Sequence, residues 1–268
     1  MQHRFLNIDG IRTEVLESEG TGDPIFVFHG NSGAANSFQT LLDSRLGQRH
    51  RVVAVSFMGH GESATADDPA ESYTIKALGD FAAQVVASYG CARYWLVGQS
   101  LGGHALIESI DSFKGALGLI LVSAPPISLS TLFQAFRPDP SHGCLFKGDL
   151  ADEEIDLLVS CFTEQASAQM RTTLTDNIRR TDARFRPALG GSLAQGALLD
   201  EVQLLEASPI PVAMLGGALD KFVNPDYYRS LPAQRLWKAQ PIIFDGCGHM
   251  LHMEAPEAFE RVVAEFVA

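Results

Sequence analysis

Gly98-Gln99-Ser100-Leu101-Gly102-Gly103 constrains this chain more than any other stretch. The residues before it, Tyr94-Trp95-Leu96-Val97, are apolar and aromatic, as a buried strand is, and Gly103 to Ile110 is compatible with a helix. A G-x-S-x-G between strand and helix is a nucleophile elbow, a tight turn that holds a serine oxygen proud of a sheet. Glycines flank the serine because side chains there would strike the neighbouring strand or helix. Taken alone, the same pattern is also that of an ordinary strand-to-helix turn. What the rest of the chain supplies decides between them.

Short apolar runs alternate with amphipathic segments in the first half. Ile25 to Phe28, Val52 to Val55, Tyr94 to Val97 and Leu117 to Val122 read as strands buried on both faces. Ser37 to Leu46, Ile75 to Tyr89 and Ser100 to Ile110 carry helical spacing between them. Such alternation predicts βαβ units and a parallel sheet, an α/β fold. Arg4 to Ile8 and Arg12 to Leu16, joined by Asp9-Gly10, predict an antiparallel hairpin at the sheet edge. After Pro125-Pro126 the rhythm changes. Ala151 to Phe162, Ala166 to Arg180 and Ser192 to Glu206 read as helices with no strand between them. Strands return at Val212 to Leu215 and Ile242 to Phe244, and a helix from Pro256 to Phe266 closes the chain. The expected organisation is a sheet domain over 1–124 and 209–268, interrupted by a helical cap over 125–208.

Composition narrows the function classes. A chain of 268 residues with 46% hydrophobic and 19% charged residues has material for one large core. A formal net charge of −12 argues against a nucleic-acid partner, for which a basic stripe is expected. The opening residues hold no apolar block of signal-peptide length and no stretch reaches that of a membrane span, so a cytoplasmic location and no membrane partner are expected. Cys91, Cys144, Cys161 and Cys247 lack C-x-x-C spacing and fit reduced thiols rather than a disulfide framework or zinc site. No metal and no cofactor are expected, and the chain is expected to be a monomer or homodimer.

A serine hydroxyl is a weak nucleophile until a base takes its proton, and a third group orients that base. With Ser100 at an elbow, the partners should follow in the order acid, then histidine. Asp220 lies just after the Val212 to Leu215 strand, and His249 just after the Ile242 to Phe244 strand, within Gly246-Cys247-Gly248-His249. Catalytic groups collect outside the carboxyl ends of parallel strands, so three strands would deliver three side chains to one place. Asp245 is a rival acid, more suited to holding its own loop, and His252 a rival base. The alternative acid position after Leu117 to Val122 offers only Ser123-Ala124-Pro125. His60 and His104 read as supporting or helix-surface histidines. Acyl transfer also needs oxyanion donors, and the backbone N–H groups of Asn31 and Leu101 are the predicted pair, with Gly30 permitting close approach. In the helical segment, Leu129, Leu132, Phe133, Phe136, Leu157, Leu158, Phe162 and Met170 exceed what short helices need for mutual packing. Some of them, Phe133, Phe136 and Phe162 first, should line an acyl pocket.

These motifs in order, H-G-x-S-G at His29, G-x-S-x-G-G at Gly98 and G-x-G-H at Gly246, resemble the α/β-hydrolases over nearly the whole chain. The resemblance implies a mostly parallel eight-stranded sheet flanked by helices, with the cap inserted after the sixth strand. Gly59-His60-Gly61-Glu62-Ser63 matches the turn of that family after its fourth strand, although Ser56 and Met58 stand where it usually has Asp and Pro. Ser100 sets the chain apart from the haloalkane dehalogenases and epoxide hydrolases, which need an aspartate nucleophile. Glu17-Ser18-Glu19-Gly20, His29-Gly30-Asn31-Ser32, Pro125-Pro126 and Arg180-Thr181-Asp182 further resemble the metal-free acyl-homoserine lactonases of that fold, whose acid is a glutamate where this chain has Asp220. The likeness implies a small acyl ester or lactone as substrate. A general carboxylesterase, a carbon–carbon bond hydrolase, a cofactor-free dioxygenase or a non-catalytic receptor could share the fold.

Overall fold

The computed structural model describes residues 1–138, 140–231 and 236–268. Eight strands form one sheet: β1 (Gln2–Ile8), β2 (Ile11–Glu17), β3 (Gly22–Phe28), β4 (His50–Val55), β5 (Tyr94–Gln99), β6 (Ala116–Val122), β7 (Val212–Gly217) and β8 (Ile242–Phe244). Their order is β1-β2-β4-β3-β5-β6-β7-β8. The first two pairings, β1 with β2 and β2 with β4, are antiparallel, and the rest are parallel. The hairpin turns on Asp9 and Gly10, both at positive φ (48° and 89°), which suits the right-handed twist of its strands.

The longer helices are α1 (Ile75–Ser88), α2 (Leu101–Glu108), α3 (Asp152–Phe162), α4 (Ala168–Arg180), α5 (Phe185–Ala194), α6 (Glu201–Ala207) and α7 (Pro256–Phe266). α1 shows how they form: Thr74 caps its first turn through the Ala77 N–H, and Ile75, Leu78, Phe81, Ala82, Val85 and Val86 make its buried stripe. Period two divides the strands between two apolar layers. Phe26, Phe28, Leu119 and Leu121 pack with α1 and α2 on one face. Ile25, Val27, Ile120 and Val122 pack with α7 on the other.

Two helix expectations need correction. The stretch 37–46 is not one helix: a 3-10 turn (Ala35–Phe38) runs into Gln39–Leu42, and Ser44 then caps a separate helix at Arg45–Arg49. Ser44 Oγ accepts the Gly47 N–H, and such a cap starts a helix rather than continuing one. The stretch 192–206 divides between α5 and α6, because Gly196 at φ 80° ends the first of them. Between β6 and β7 the described residues form helices and no strand, and Phe136 makes an isolated bridge to Val223 beyond β7. Among the described residues no helix is long and apolar enough to cross a membrane. None of the four cysteines forms a disulfide.

This topology positions the site. From β3 the chain crosses to β4 on one side and then returns past β3 to β5 on the other, so the loops leaving β3 and β5 flank a crevice at their carboxyl ends.

Candidate active site

Ser100 sits between β5 and α2 with φ 49° and ψ −122°, a conformation that costs a non-glycine residue about 1–3 kcal/mol. Its N–H donates to Val122 O at 2.8 Å, and its carbonyl accepts Gly103 and His104 N–H at 2.8 and 3.2 Å. The turn is so tight that a Cβ on Gly98 would lie 2.6 Å from Gly103 N. The glycines are therefore obligatory for close approach, as expected from the sequence.

His249 and Asp220 meet because their loops are bonded together. Ala218 N–H donates to Phe244 O at 3.0 Å and Leu219 N–H to Cys247 O at 2.9 Å. His249 Nδ1 lies 2.8 Å from Asp220 Oδ2, both side chains being buried. The other carboxylate oxygen accepts Phe222 and Val223 N–H at 2.8 and 3.0 Å. With Nδ1–H donating to the carboxylate, Nε2 of the neutral ring is left as a proton acceptor. Phe222 and Phe162 enclose the ring, with centroids 5.0 and 6.0 Å away. Glu254 braces the loop by accepting Gly248 N–H at 3.0 Å, and its second oxygen accepts Glu164 N–H at 3.0 Å. Neither rival fits. Asp245 is exposed, while His252 stacks on Phe38 with both ring nitrogens buried and unpartnered among the described residues.

The loop after β3 is held from both sides. His29 Nε2 accepts the Phe57 N–H at 3.0 Å, which places its proton on Nδ1, and Nδ1 donates to Gly30 O at 2.7 Å. Gly33 N–H reaches the same carbonyl at 3.1 Å. The C=O and N–H of a trans peptide point oppositely, so fixing the Gly30 carbonyl aims the Asn31 N–H the other way. A Cβ on Gly30 would lie 2.9 Å from Ser100 Cβ, so the two loops touch. Leu101 opens α2, where the N–H has no intrahelical acceptor. Neither the Asn31 nor the Leu101 N–H has an acceptor among the described residues. Sequence reasoning missed Arg186 here. This buried side chain of α5 donates to Lys147 O (2.7 Å), Gly148 O (2.6 Å) and Ser32 Oγ (3.0 Å). Ser32, at φ 60°, in turn donates to Asn31 Oδ1 at 2.8 Å. Nothing local marks an arginine whose partner lies 154 positions away.

His104 is not a helix-surface residue. It is buried, and its Nδ1 lies 2.9 and 3.0 Å from the two oxygens of Glu201. Burial works against the imidazolium, but the Glu201 carboxylate outweighs it and raises the His104 pKa. His29, His60 and His252 are buried with no carboxylate bonded to them, and burial lowers all three, His29 to about 4 and His252 to about 3. A histidine that titrates normally when unfolded, but resists protonation when folded, loses stability as pH falls through 6.5 toward its folded value. The cost is about 2 kcal/mol each for His29 and His252 by pH 5. Glu108 acts oppositely: burial raises its carboxyl to about 7, so its contribution is present in acid and lost as pH rises. The urea midpoint is therefore expected to drop between pH 7 and 5, and more steeply in Glu108→Gln. A flat profile would mean that these rings are not sealed from solvent.

Ser100, His249, Gly30, Asn31 and Leu101 all line one cavity of about 1380 Å³, as do the expected pocket residues Phe133, Phe136 and Phe162. Leu132 joins them, and Phe133, 92% exposed, stands at the rim; Leu158 and Met170 pack behind the wall in the cluster that holds Phe162 and Leu174, and Leu129 and Leu157 face solvent. Leu145, Phe146, Leu174, Leu189 and Leu193 also line the walls and carried no distinguishing signal in the sequence. His3, Glu14 and Glu62 place potential metal-ligating atoms within 4.8 Å of one another, but none of the three lines the cavity.

Similar proteins agree with this architecture. The N-acyl homoserine lactonase AidH, solved in complex with N-butanoyl homoserine, superposes with a TM-score of 0.93 at 28% identity, covering 100% of this chain and 96% of that one. The chain is 24% identical over 295 residues to a 2-hydroxy-6-oxo-6-(2'-aminophenyl)hexa-2,4-dienoic acid hydrolase of Metapseudomonas resinovorans, covering 99% of this chain and 90% of that one. It is 25% identical over 250 residues to a pimeloyl-[acyl-carrier protein] methyl ester esterase of Nitrosomonas europaea, with 91% and 95% covered. The alpha/beta hydrolase family model matches residues 25–262, from β3 through α7, and the chain belongs to that family.

Proposed function

We propose that the protein hydrolyses carboxylic esters or lactones through an acyl-enzyme on Ser100, with N-acyl homoserine lactones as the favoured substrates. The observation that carries the reading is one apolar cavity receiving both the strained serine and the His249–Asp220 pair. His249 Nε2 takes the Ser100 proton as Oγ attacks the carbonyl, and Asp220 steadies the imidazolium that forms. The Asn31 and Leu101 N–H groups receive the oxyanion, each donor being worth about 2.7–4 kcal/mol in comparable sites. His249 then protonates the departing alkoxide. In a lactone this oxygen stays tethered to the acyl group, so the ring opens without releasing a fragment. Water, deprotonated by the same ring, attacks the acyl-enzyme and frees Ser100. The helical segment 125–208 acts as a cap, its phenylalanines lining the acyl path.

The lactone preference draws on the 28% identity and whole-chain superposition with AidH. A second reading, hydrolysis of a carbon–carbon bond in a ring-cleavage product, draws on the Metapseudomonas relative. Mass spectrometry of products from a panel of acyl homoserine lactones separates them. A gain of one water with the acyl amide intact is expected. Turnover of a 2-hydroxy-6-oxo dienoate, with no lactone opened, would replace the first reading by the second.

A further inference from the structure

Two imidazole–carboxylate pairs meet this cavity, and the proposed chemistry uses only one. The second is His104 with Glu201. His104 stands one helical turn beyond Ser100 and donates its backbone N–H to the Ser100 carbonyl at 3.2 Å. Ser100 itself lies outside α2, at φ 49° and ψ −122°, but this bond and the shared cavity keep the two residues close. Glu201 is wholly buried, and besides His104 it accepts the Ile127 N–H at 2.9 Å. Burial pushes this carboxyl up, and the His104 and Ile127 donors oppose that push. The neighbouring acid on the helix, Glu108, is turned to the Leu199 N–H at 3.0 Å. Nδ1 of His104 is thus committed, while Nε2 has no partner among the described residues and is not sealed within the protein; the Glu201 carboxylate favours the imidazolium, in which Nε2 also carries a proton. The ring lines the cavity beside Phe136, the centroids being 6.2 Å apart.

We propose that His104, held by Glu201, is a specificity-determining residue whose Nε2–H binds an oxygen acceptor on the acyl part of the substrate. The acceptor is an amide, keto or carboxylate oxygen of a substrate whose scissile carbonyl lies at Ser100, since both residues line the same cavity. A keto group on the acyl chain offers the donor a partner, and a plain alkyl chain leaves it unmatched. The proposal rests on Ser100 being the attacking group, as argued above.

Two esters of equal chain length test it: p-nitrophenyl 4-oxohexanoate and p-nitrophenyl hexanoate. The wild-type protein should favour the keto ester in kcat/KM by about 10- to 100-fold, the range for a hydrogen bond to a charged donor. In His104→Gln that ratio should fall below about threefold, whatever happens to the absolute rates. Glu201→Gln makes the same test if His104→Gln does not fold. It keeps an acceptor for Ile127 and removes the charge that holds the imidazolium, so the ratio should fall there too. A wild-type ratio near one, with nitrophenolate released from both esters, would overturn the inference alone. A preference that survives in the variants would also overturn it. No release from either ester would bring down the hydrolase reading and this inference with it.

Discussion

Ser100→Ala should lose ester turnover by about a millionfold while remaining folded, because removing the nucleophile of such a constellation costs about as much as removing the whole of it. The loss should appear in kcat, with substrate still bound in the cavity. Stability should move independently. Ser100 holds φ 49° in the wild type, and alanine inherits that strain, whereas glycine relieves it. Ser100→Gly should therefore be inactive yet more stable by about 1 kcal/mol, a rise of about 2–4 °C in Tm for a chain of this size. Calorimetry of the two variants beside the wild type reads both effects. Retention of more than one per cent of wild-type activity in either variant would remove Ser100 from the chemistry.

Asp220→Asn should lower kcat about 10⁴-fold with little change in stability, and the reason lies in the hydrogen bonds already made. One carboxylate oxygen accepts Phe222 and Val223 N–H, so the amide oxygen must take that place. The amide nitrogen then faces His249 Nδ1, which sat 2.8 Å from the second carboxylate oxygen. A donor there forces the histidine proton onto Nε2, where the ring can no longer accept from Ser100. The defect is one of tautomer rather than shape. Kinetics across pH 6–10, with circular dichroism as a check on folding, measure it. If Asp220→Asn kept kcat within tenfold of the wild type, the carboxylate would not be what orients the base.

The parallel sheet, the elbow and the order of Ser100, Asp220 and His249 were legible because each depends on short-range pattern. Apolar runs of strand length alternate with helical stripes, and glycines stand where backbones must nearly touch. The sites of helix interruption were less legible. Ser44 and Gly196 are common residues whose effect depends on local hydrogen bonds and a positive φ that periodicity does not report.

Two other contacts between distant parts of the chain were not legible. His104 joins Glu201 across 97 positions, and Arg186 joins Ser32 across 154. In each case a residue between β6 and β7 reaches back to the core, to α2 or to the loop after β3. A lone histidine on a helix or an arginine in a mixed segment carries no sign of such a partner, since a polar side chain looks alike whether water or a buried group satisfies it. By itself the sequence determined which side chains stand at the carboxyl ends of the strands, because strand length and turn chemistry are local. Only the tertiary structure decided which buried charges those side chains live beside, because burial removes water and makes a contact remote in sequence the nearest source of compensation.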